Sequence, residues 1–339
     1  MATKRAINRD ISMNEVAELA GVSPMTVSRA LRSPQLVSAK TLERIQGVIK
    51  SVGYSPNRLA GSLRSNRSTV VALIVPSLRN SLYTEMIQGI SDVLQRHQFQ
   101  LMISDSAYSL EQEETLIDAY ISHRVCGIIL HNTAHTERAT NLLKSARIPV
   151  IETGNLTKDP IDMQVSFSNF AAGKAMAEHL VSLGYRRIGF ASLPLRTTDR
   201  LTERRAGFVA GLRKAGLKLD PRVSVEVDGG LENGARALAH IIDTDPKTEA
   251  VFFAGDVLAA GALIECNRRR IAVPRHLAVA ASDDYDLIQN LHPALTTVRF
   301  PRYKIGARSA ELIIARTRGT ETGQTRFDMG FEVIRRGST

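Results

Sequence analysis

From Val70 onward, short apolar runs alternate with longer amphipathic stretches along most of the chain. Apolar runs rich in β-branched residues are typical of strands covered on both faces, and amphipathic crossovers between them are typical of parallel sheets. About nine such runs are more strands than one open sheet usually holds. The pattern therefore predicts two doubly wound lobes, with a ligand cleft at the carboxyl ends of their strands. The predicted strands are Val70–Val75, Gln100–Ser104, Gly127–Leu130, Val150–Ile151, Arg187–Ala191, Val223–Val227, Ala250–Phe253, Leu277–Ala281 and Leu295–Val298. The helices predicted between them include Tyr83–Arg96, Leu110–His123, Phe170–Leu183, Leu201–Ala215, Glu232–Ile242 and Val257–Arg268.

The first part of the chain instead carries closely spaced helix start and stop signals. Ser12 stands three residues before Glu15, the spacing of a capping box, and the apolar period that follows stops at Gly21. Ser23 then offers an N-cap with Pro24 at the first helical position. Two short helices joined by about three residues that include glycine predict a helix-turn-helix.

A third helix is predicted between Ser38 and Gly53, and the whole region is basic. Residues 1–67 hold 11 Lys and Arg against 4 Asp and Glu, so they carry 7 of the 10 net positive charges of the chain. A basic end on a nearly neutral remainder indicates that this end meets nucleic acid.

Several functional classes find no support in the residues. Cys126 and Cys266 form no paired spacing, which argues against disulfides and cysteine metal sites and fits a cytoplasmic protein. No stretch is long and apolar enough for a membrane span, and no nucleophile elbow or phosphate-binding loop is present. We therefore expect neither an enzyme nor a bound cofactor, and we interpret His123, His131 and His135 as ordinary surface residues rather than metal ligands.

Three amino-terminal stretches resemble the DNA-binding domain of the lactose-repressor (LacI) family of transcription factors: NEVAELAGVSPMTVSRAL (Asn14–Leu31), VS (Val37 and Ser38) and GYSPNRLAGSL (Gly53–Leu63). The resemblance continues through VALIVPSLRN, AGDVLAAGAL and HPALTTV, so it covers nearly the whole chain. Within the family, the sequence is most similar to gluconate-operon repressors. The implied fold is α/β: a three-helix helix-turn-helix domain with a hinge helix, followed by two doubly wound parallel-sheet lobes like those of periplasmic binding proteins.

The resemblance also implies domain boundaries. A DNA-binding domain is expected over residues 1–66, with the hinge at about 54–66, and a ligand-binding and dimerisation domain over 67–339. One lobe of that domain is expected to comprise about 67–168 and 299–328, and the other about 169–298 and 329–339.

The predicted helix Pro24–Leu31 would place its first turn in the major groove of DNA. Arg29 can present paired donors to guanine, and apolar Met25 can pack on a thymine methyl group. Val27 and Leu31 are expected in the core instead. The expected DNA-binding residues of this helix are Ser23, Pro24, Met25, Thr26, Ser28 and Arg29.

In the hinge, Leu63 occupies the position at which the family places a leucine that wedges into the minor groove. Arg58 and Arg64 would flank it on phosphates, with Asn57 as a further DNA-binding residue. The alternative is a solvated linker with an incidental leucine.

Arg200 and Arg204 are spaced i, i+4, on one face of a predicted helix that starts beside the cleft. Two guanidinium groups on one face suit a carboxylate ligand, because each can bind it through charged hydrogen bonds. The alternative is a solvated cationic face with Glu203 as a neighbour.

Other cleft residues are implied by the family's binding positions at strand ends. Aromatic faces would stack on sugar C–H surfaces, and hydroxyl or carboxylate groups would bind sugar hydroxyls, although each could equally be a helix cap or a core residue. Asp256 in particular suits an N-cap. These residues are Tyr83, Thr133, Glu152, Phe252, Asp256 and Asp283.

Together these observations predict a homodimeric transcriptional repressor that binds double-stranded, near-palindromic operator DNA. Two-fold pairing is expected because one short recognition helix offers too little surface for selectivity across a genome. The predicted effector is gluconate or a related sugar acid. One alternative is the same class of repressor with a neutral sugar, a purine or a nucleoside as effector. The other is a cytoplasmic solute-binding module.

Overall fold

The computed structural model describes residues 11–54, 68–78, 81–320 and 323–339. The chain divides into two compact units, Met1–Ser68 and Thr69–Thr339. Within the described residues, every helix is too short or too polar to cross a membrane. Cys126 and Cys266 are both buried free thiols.

The first unit contains three helices, α1 (Met13–Leu19), α2 (Pro24–Arg32) and α3 (Ala39–Val52), with a short 3-10 turn at Pro34–Leu36. The predicted caps are confirmed, because Ser12, Ser23 and Ser38 each accept a backbone N–H from the first turn of the helix that follows. The capping box is complete, with the Ser12 N–H donating to Glu15 Oε2 at 2.6 Å. These caps satisfy donors that a helix start leaves unpaired.

The core of this unit is small and well defined. Val16, Val27 and Ile45, one from each helix, are fully buried and pack together. The expectation that Leu31 also belongs to this core is wrong, since its side chain is 38% exposed. Ala30, three residues after Val27, takes the buried position on α2 instead, as helical spacing allows.

The second unit contains two six-stranded sheets, in the order β11-β5-β4-β3-β1-β2 and β12-β10-β9-β8-β6-β7. We call the parts built on them lobe 1 and lobe 2. All pairings are parallel except that of β12 with β10. The strands are β1 (Val70–Val75), β2 (Gln100–Asp105), β3 (Gly127–Leu130), β4 (Val150–Glu152), β5 (Met163–Ser166), β6 (Ile188–Ser192), β7 (Ser224–Glu226), β8 (Ala250–Phe253), β9 (Ala278–Ser282), β10 (Thr296–Arg299), β11 (Arg326–Asp328) and β12 (Glu332–Ile334).

Helices link most of these strands and cover the sheets. They are α4 (Thr84–Arg96), α5 (Leu110–Ser122), α6 (Glu137–Ala146), α7 (Asn169–Ser182), α8 (Asp199–Lys214), α9 (Leu231–Thr244), α10 (Asp256–Arg268), α11 (Asp286–Gln289) and α12 (Arg302–Arg318). The predicted strands all occur, with each end shifted by one residue at most, and the predicted doubly wound arrangement is confirmed. The sequence patterns did not single out β5, β11, β12, α6, α11 or α12.

Helices α7 and α8 cross backbone to backbone beside the cleft. A Cβ added to Gly173 would lie 1.9 Å from the carbonyl oxygen of Arg204, and one added to Gly207 would lie 1.8 Å from that of Phe170. Only glycine fits at both positions, because such distances are far below van der Waals contact. The close crossing brings Arg204 of α8 against the start of α7.

Candidate functional site

The outer face of α2 carries the residues predicted to bind DNA. Because Val27 and Ala30 face the core, the opposite face presents a guanidinium group, a thioether and hydroxyl groups to the outside. Ser23, Pro24, Met25 and Arg29 are exposed, and Thr26 and Ser28 are half-buried. The Oγ of Ser23 lies 2.9 Å from Thr26 Oγ1, so the cap also orders the hydroxyls at the helix start.

The predicted minor-groove residues Asn57, Arg58, Leu63 and Arg64 fall in the segment 55–67, outside the described residues. Their role in DNA binding stays a prediction.

In the second unit, the first turn of α8 joins the two lobes directly. Arg200 Nη1 donates to the backbone carbonyl of His131, which follows β3 of lobe 1, at 2.7 Å. Next to it, Asp199 Oδ2 accepts hydrogen bonds from Thr133 and, at 3.3 Å, from Asn155 Nδ2. The predicted ligand residues Arg200 and Thr133 therefore each form a hydrogen bond between the lobes.

Asp283 is the centre of a buried ion cluster on the lobe 2 side. Its carboxylate lies 3.2 Å from Arg204 Nη1 and 2.5 Å from Arg302 Nη2. Arg204 also donates to Asn169 Oδ1 and to the carbonyl of Ala254, at 2.8 and 3.0 Å. Burial alone would raise the pKa of Asp283, but the two guanidinium groups hold it below its ordinary value. Arg204 and Asp283 are thus brought together as predicted residues of one site.

Arg200 differs from Arg204 in its partners. It is only 8% exposed, and within the described residues its side chain has a neutral carbonyl as hydrogen-bond partner and no carboxylate within ion-pair distance. A guanidinium group in a poorly solvated position is stabilised strongly by an anion. The structure therefore presents a buried positive charge that a bound carboxylate would neutralise.

Tyr83 and His131 form the aromatic wall beside Arg200. The edge of one ring meets the face of the other, with centroids 4.8 Å apart. Burial, together with the charges of Arg200 and Arg302, lowers the pKa of His131 well below its usual value. Burial also raises the pKa of the Tyr83 hydroxyl, so both side chains are neutral near pH 7.

Asp256, at the first position of α10, is a second carboxyl group near Asp283. The predicted N-cap role falls to Gly255, because Asp256 is itself the first residue of the helix and its side chain accepts the N–H of neighbouring Val257, at 2.7 Å. Burial and the charge of Asp283 raise the pKa of Asp256 to about 7. Between about pH 4 and pH 7, the folded protein therefore holds a proton on Asp256 that the unfolded chain releases.

Replacing Asp256 by asparagine is expected to remove a pH dependence of stability. Because the folded pKa lies above the ordinary value, the wild-type free energy of unfolding should fall as pH rises from about 4 through about 7. The neutral D256N variant should be more stable than wild type at pH 8, by at least about 1 kcal/mol, and similar to it at pH 4. Urea titrations across this range measure the effect, with exposed Asp228→Asn as control. A wild-type free energy of unfolding that stays constant over this pH range would contradict the prediction.

Two predicted ligand residues are not at the site. Phe252 points into the core of lobe 2, where it is fully buried against Phe190 and Phe208, because residues on a strand alternate between faces. Glu152 is also buried, and its carboxylate binds the Ile161 N–H at 2.5 Å and lies 3.5 Å from His135 Nε2. Both predictions are wrong.

The interpretation of two histidines as surface residues is also wrong, although His123 is exposed as expected. His131 is buried beside the site, and the His135 side chain is only 3% exposed. His135 Nδ1 lies 2.5 Å from Glu113 of α5, and Glu152 of β4 faces its other nitrogen. Burial lowers the pKa of His135, but the two carboxylates outweigh burial and raise it to about 9.

Sequence patterns missed five residues of the site: His131, Asn155, Asn169, Asp199 and Arg302. Asp199 had a local signal, because it stands next to Arg200 at a helix start. The others follow strands or begin helices at positions that show no motif, and only the folded chain brings them together.

The comparisons with known proteins agree with this architecture. A model of the bacterial regulatory proteins of the lacI family matches residues 12–57, and a model of a periplasmic binding protein-like domain matches residues 177–339. The transcriptional regulator GntR of Pseudomonas aeruginosa is 35% identical over 330 residues, which cover 97% of this chain and 95% of that protein. The chain belongs to the LacI family.

Further LacI-family relatives are similar along their whole length. The regulator GntR of Escherichia coli is 32% identical over 326 residues, covering 96% of this chain and 98% of that protein. A crystal structure of a LacI-family regulator from Silicibacter pomeroyi matches with a TM-score of 0.90 and 32% identity, over 97% of this chain and 99% of that one. The protein is therefore a LacI-family transcriptional repressor, a DNA-binding regulator under small-molecule control and not an enzyme.

Proposed function

We propose that this LacI-family repressor is controlled by a sugar acid, with gluconate as the first candidate, bound between lobe 1 and lobe 2. The observation that carries the proposal is Arg200, a buried guanidinium group with a carbonyl but no carboxylate as side-chain partner among the described residues. The sequence resemblance to gluconate-operon repressors supports the same ligand class.

The charges around the site also favour an anion. The site holds three guanidinium groups, of Arg200, Arg204 and Arg302, but only two further carboxylates, of Asp283 and Asp199, and the raised pKa of Asp256 reduces the negative charge of that carboxyl near pH 7. A ligand with one carboxylate would balance the remaining positive charge. A neutral sugar or a purine, the alternative effectors, would leave Arg200 without a counter-ion.

Calorimetric titration of the full-length protein with gluconate, glucose and adenine tests the ligand class. Gluconate is expected to bind, and at about 100 times its dissociation constant to add about 2.7 kcal/mol to the free energy of unfolding. Binding of glucose or adenine without binding of gluconate would contradict the sugar-acid proposal and favour the alternative effectors.

The lobe contacts suggest how the effector would act on DNA binding. Arg200 with His131, Asp199 with Thr133 and Arg302 with Asp283 all bridge the lobes, so a ligand that enters between them changes these contacts. An effector that prefers one lobe arrangement shifts the population towards it. We propose that this shift changes the affinity of the protein for its operator.

A homodimer is the proposed assembly. The edge strand β2 of lobe 1 and its neighbouring loops leave apolar side chains exposed, an arrangement that often marks an interface. These residues are Leu78, Met102, Ile103, Tyr108 and Leu110. Two-fold pairing would place two α2 helices on a near-palindromic operator.

Arg29→Ala is expected to weaken operator binding about 10- to 100-fold and to relax the preference at one base pair, because a paired Arg contact to guanine is lost. Fluorescence anisotropy with a duplex selected from a random pool measures both effects. Lys50→Ala, which removes one charge from α3, is the control. If the two variants lose the same affinity and keep the same base preferences, Arg29 does not read sequence.

A further inference from the structure

The hydrogen bonds around His131 determine which of its ring nitrogens carries the proton. His131 Nδ1 lies 2.8 Å from Thr153 Oγ1. That hydroxyl lies 3.1 Å from the carbonyl oxygen of Leu130, which can only accept. Both contacts are hydrogen bonds only when the single hydroxyl proton of Thr153 goes to Leu130 and Thr153 Oγ1 accepts the N–H of His131 Nδ1.

The other nitrogen, Nε2, is then an acceptor with a lone pair. The ring stays neutral, because burial and the charges of Arg200 and Arg302 disfavour the second proton. Within the described residues, no hydrogen bond to Nε2 is formed. His131 Nε2 is thus a fixed acceptor, and the ring carries no positive charge.

Nε2 lies beside the unpaired charge of Arg200. Arg200 Nη1 and His131 Nε2 are each 3.1 Å from the point that a Cβ on Gly154 would occupy, so they are at most twice that distance apart. Gly154 has a φ of +97°, a backbone conformation that favours glycine, and any side chain there would crowd both groups. A cationic donor and a neutral acceptor therefore stand side by side at the site.

We propose that this pair selects 2-hydroxy acids: Arg200 binds the carboxylate of the effector, and His131 Nε2 accepts a hydrogen bond from the hydroxyl on the adjacent carbon. This inference rests on the sugar-acid function proposed above and narrows it to aldonates such as gluconate. A 2-deoxy aldonate leaves Nε2 without a donor. A uronate in its ring form presents the ring oxygen next to its carboxylate and offers no proton there, so two lone pairs would face each other.

Calorimetric titration of the full-length protein with gluconate and with 2-deoxygluconate tests the proposal. Gluconate is expected to bind at least tenfold more tightly, because a site built to bond a hydroxyl rejects the analogue that lacks it. In the variant His131→Phe, which keeps a ring against Tyr83 but has no acceptor, the ratio of the two affinities should fall to about one. Exposed His97→Phe is the control and should keep the wild-type ratio.

Thr153→Val provides a second variant that leaves the imidazole in place. Thr153 acts as a positioning residue, so its loss should reduce the gluconate preference severalfold by freeing the ring proton to move to Nε2. The ¹⁵N resonances of the His131 imidazole in wild type report the proton position without any ligand, and a proton on Nε2 would overturn the inference even if both variants fail to fold.

The outcomes separate this inference from the proposed function. Equal binding of gluconate and 2-deoxygluconate, with both lost in Arg200→Met, would overturn the 2-hydroxy selectivity and leave the sugar-acid function standing. Absence of binding to either acid would overturn both.

Discussion

Arg200→Met is expected to weaken gluconate binding about a hundredfold or more. The substitution keeps a long side chain but removes the buried charge that would bind the ligand carboxylate, and the loss of one partner of a desolvated charge pair costs about 2–5 kcal/mol. Calorimetric titration at pH 7 measures the affinity. Ligand-free stability should change little or rise, because the variant no longer buries a guanidinium group that lacks a carboxylate partner.

Arg205→Met is the matched control for this prediction. Arg205 is the neighbouring arginine on α8, half-buried, with its Nε 3.4 Å from Ser224 Oγ. Its replacement removes the same charge from the same helix outside the ion cluster, so gluconate affinity should stay within about threefold of wild type. If both variants bind gluconate as wild type does, Arg200 is not the carboxylate site.

His135→Gln is expected to lower the free energy of unfolding by about 3–5 kcal/mol at pH 7, the usual cost of removing one partner from a buried ion pair. Glu113 and Glu152 would remain buried without the imidazolium that now lies between them. His135, Glu113 and Glu152 connect the loop after β3, α5 and β4, and we call them the His135 triad. The substitution therefore removes a contact that joins three elements of lobe 1. Urea titration measures the change, with exposed His123→Gln as control.

The His135 triad also predicts how the free energy of unfolding changes with pH. The folded pKa of His135, about 9, lies above its ordinary value of 6.5. Its contribution to stability is therefore fully present below about pH 6.5 and is lost as pH rises through about 9. Between pH 7 and 9.5, wild type should lose stability and His135→Gln should lose less. Parallel profiles of the two proteins would contradict the assignment of this slope to His135.

Much of the fold could be predicted from the sequence because its signals are local. Ser12, Ser23 and Ser38 mark helix starts by capping chemistry, and the long apolar runs such as Val70–Val75 identify strands by composition. The three-residue strands β11 and β12 are too short for a period to appear. They form because the chain after α12 adds an edge strand first to the lobe 1 sheet and then to the lobe 2 sheet, which no local pattern reveals.

The site was predictable only in part for a related reason. The i, i+4 spacing of Arg200 and Arg204 indicated a shared helix face, but it could not say that Arg204 pairs with Asp283, 79 residues away, whereas Arg200 does not. The environment of His131 and His135 depends in the same way on distant neighbours, namely Arg200 and Glu113. Phe252 was misplaced because a strand end carries side chains on both faces, and the sequence does not tell which face meets the cleft.

Operator binding with and without effector tests the central claim most directly. Fluorescence anisotropy of a labelled duplex, selected from a random pool by the full-length protein, gives the affinity in the presence of gluconate or of glucose. We predict that gluconate changes the operator affinity at least tenfold in wild type, that it has no effect in Arg200→Met, and that glucose has no effect in either. An operator affinity that responds to glucose or a purine and is unchanged by gluconate would contradict the account.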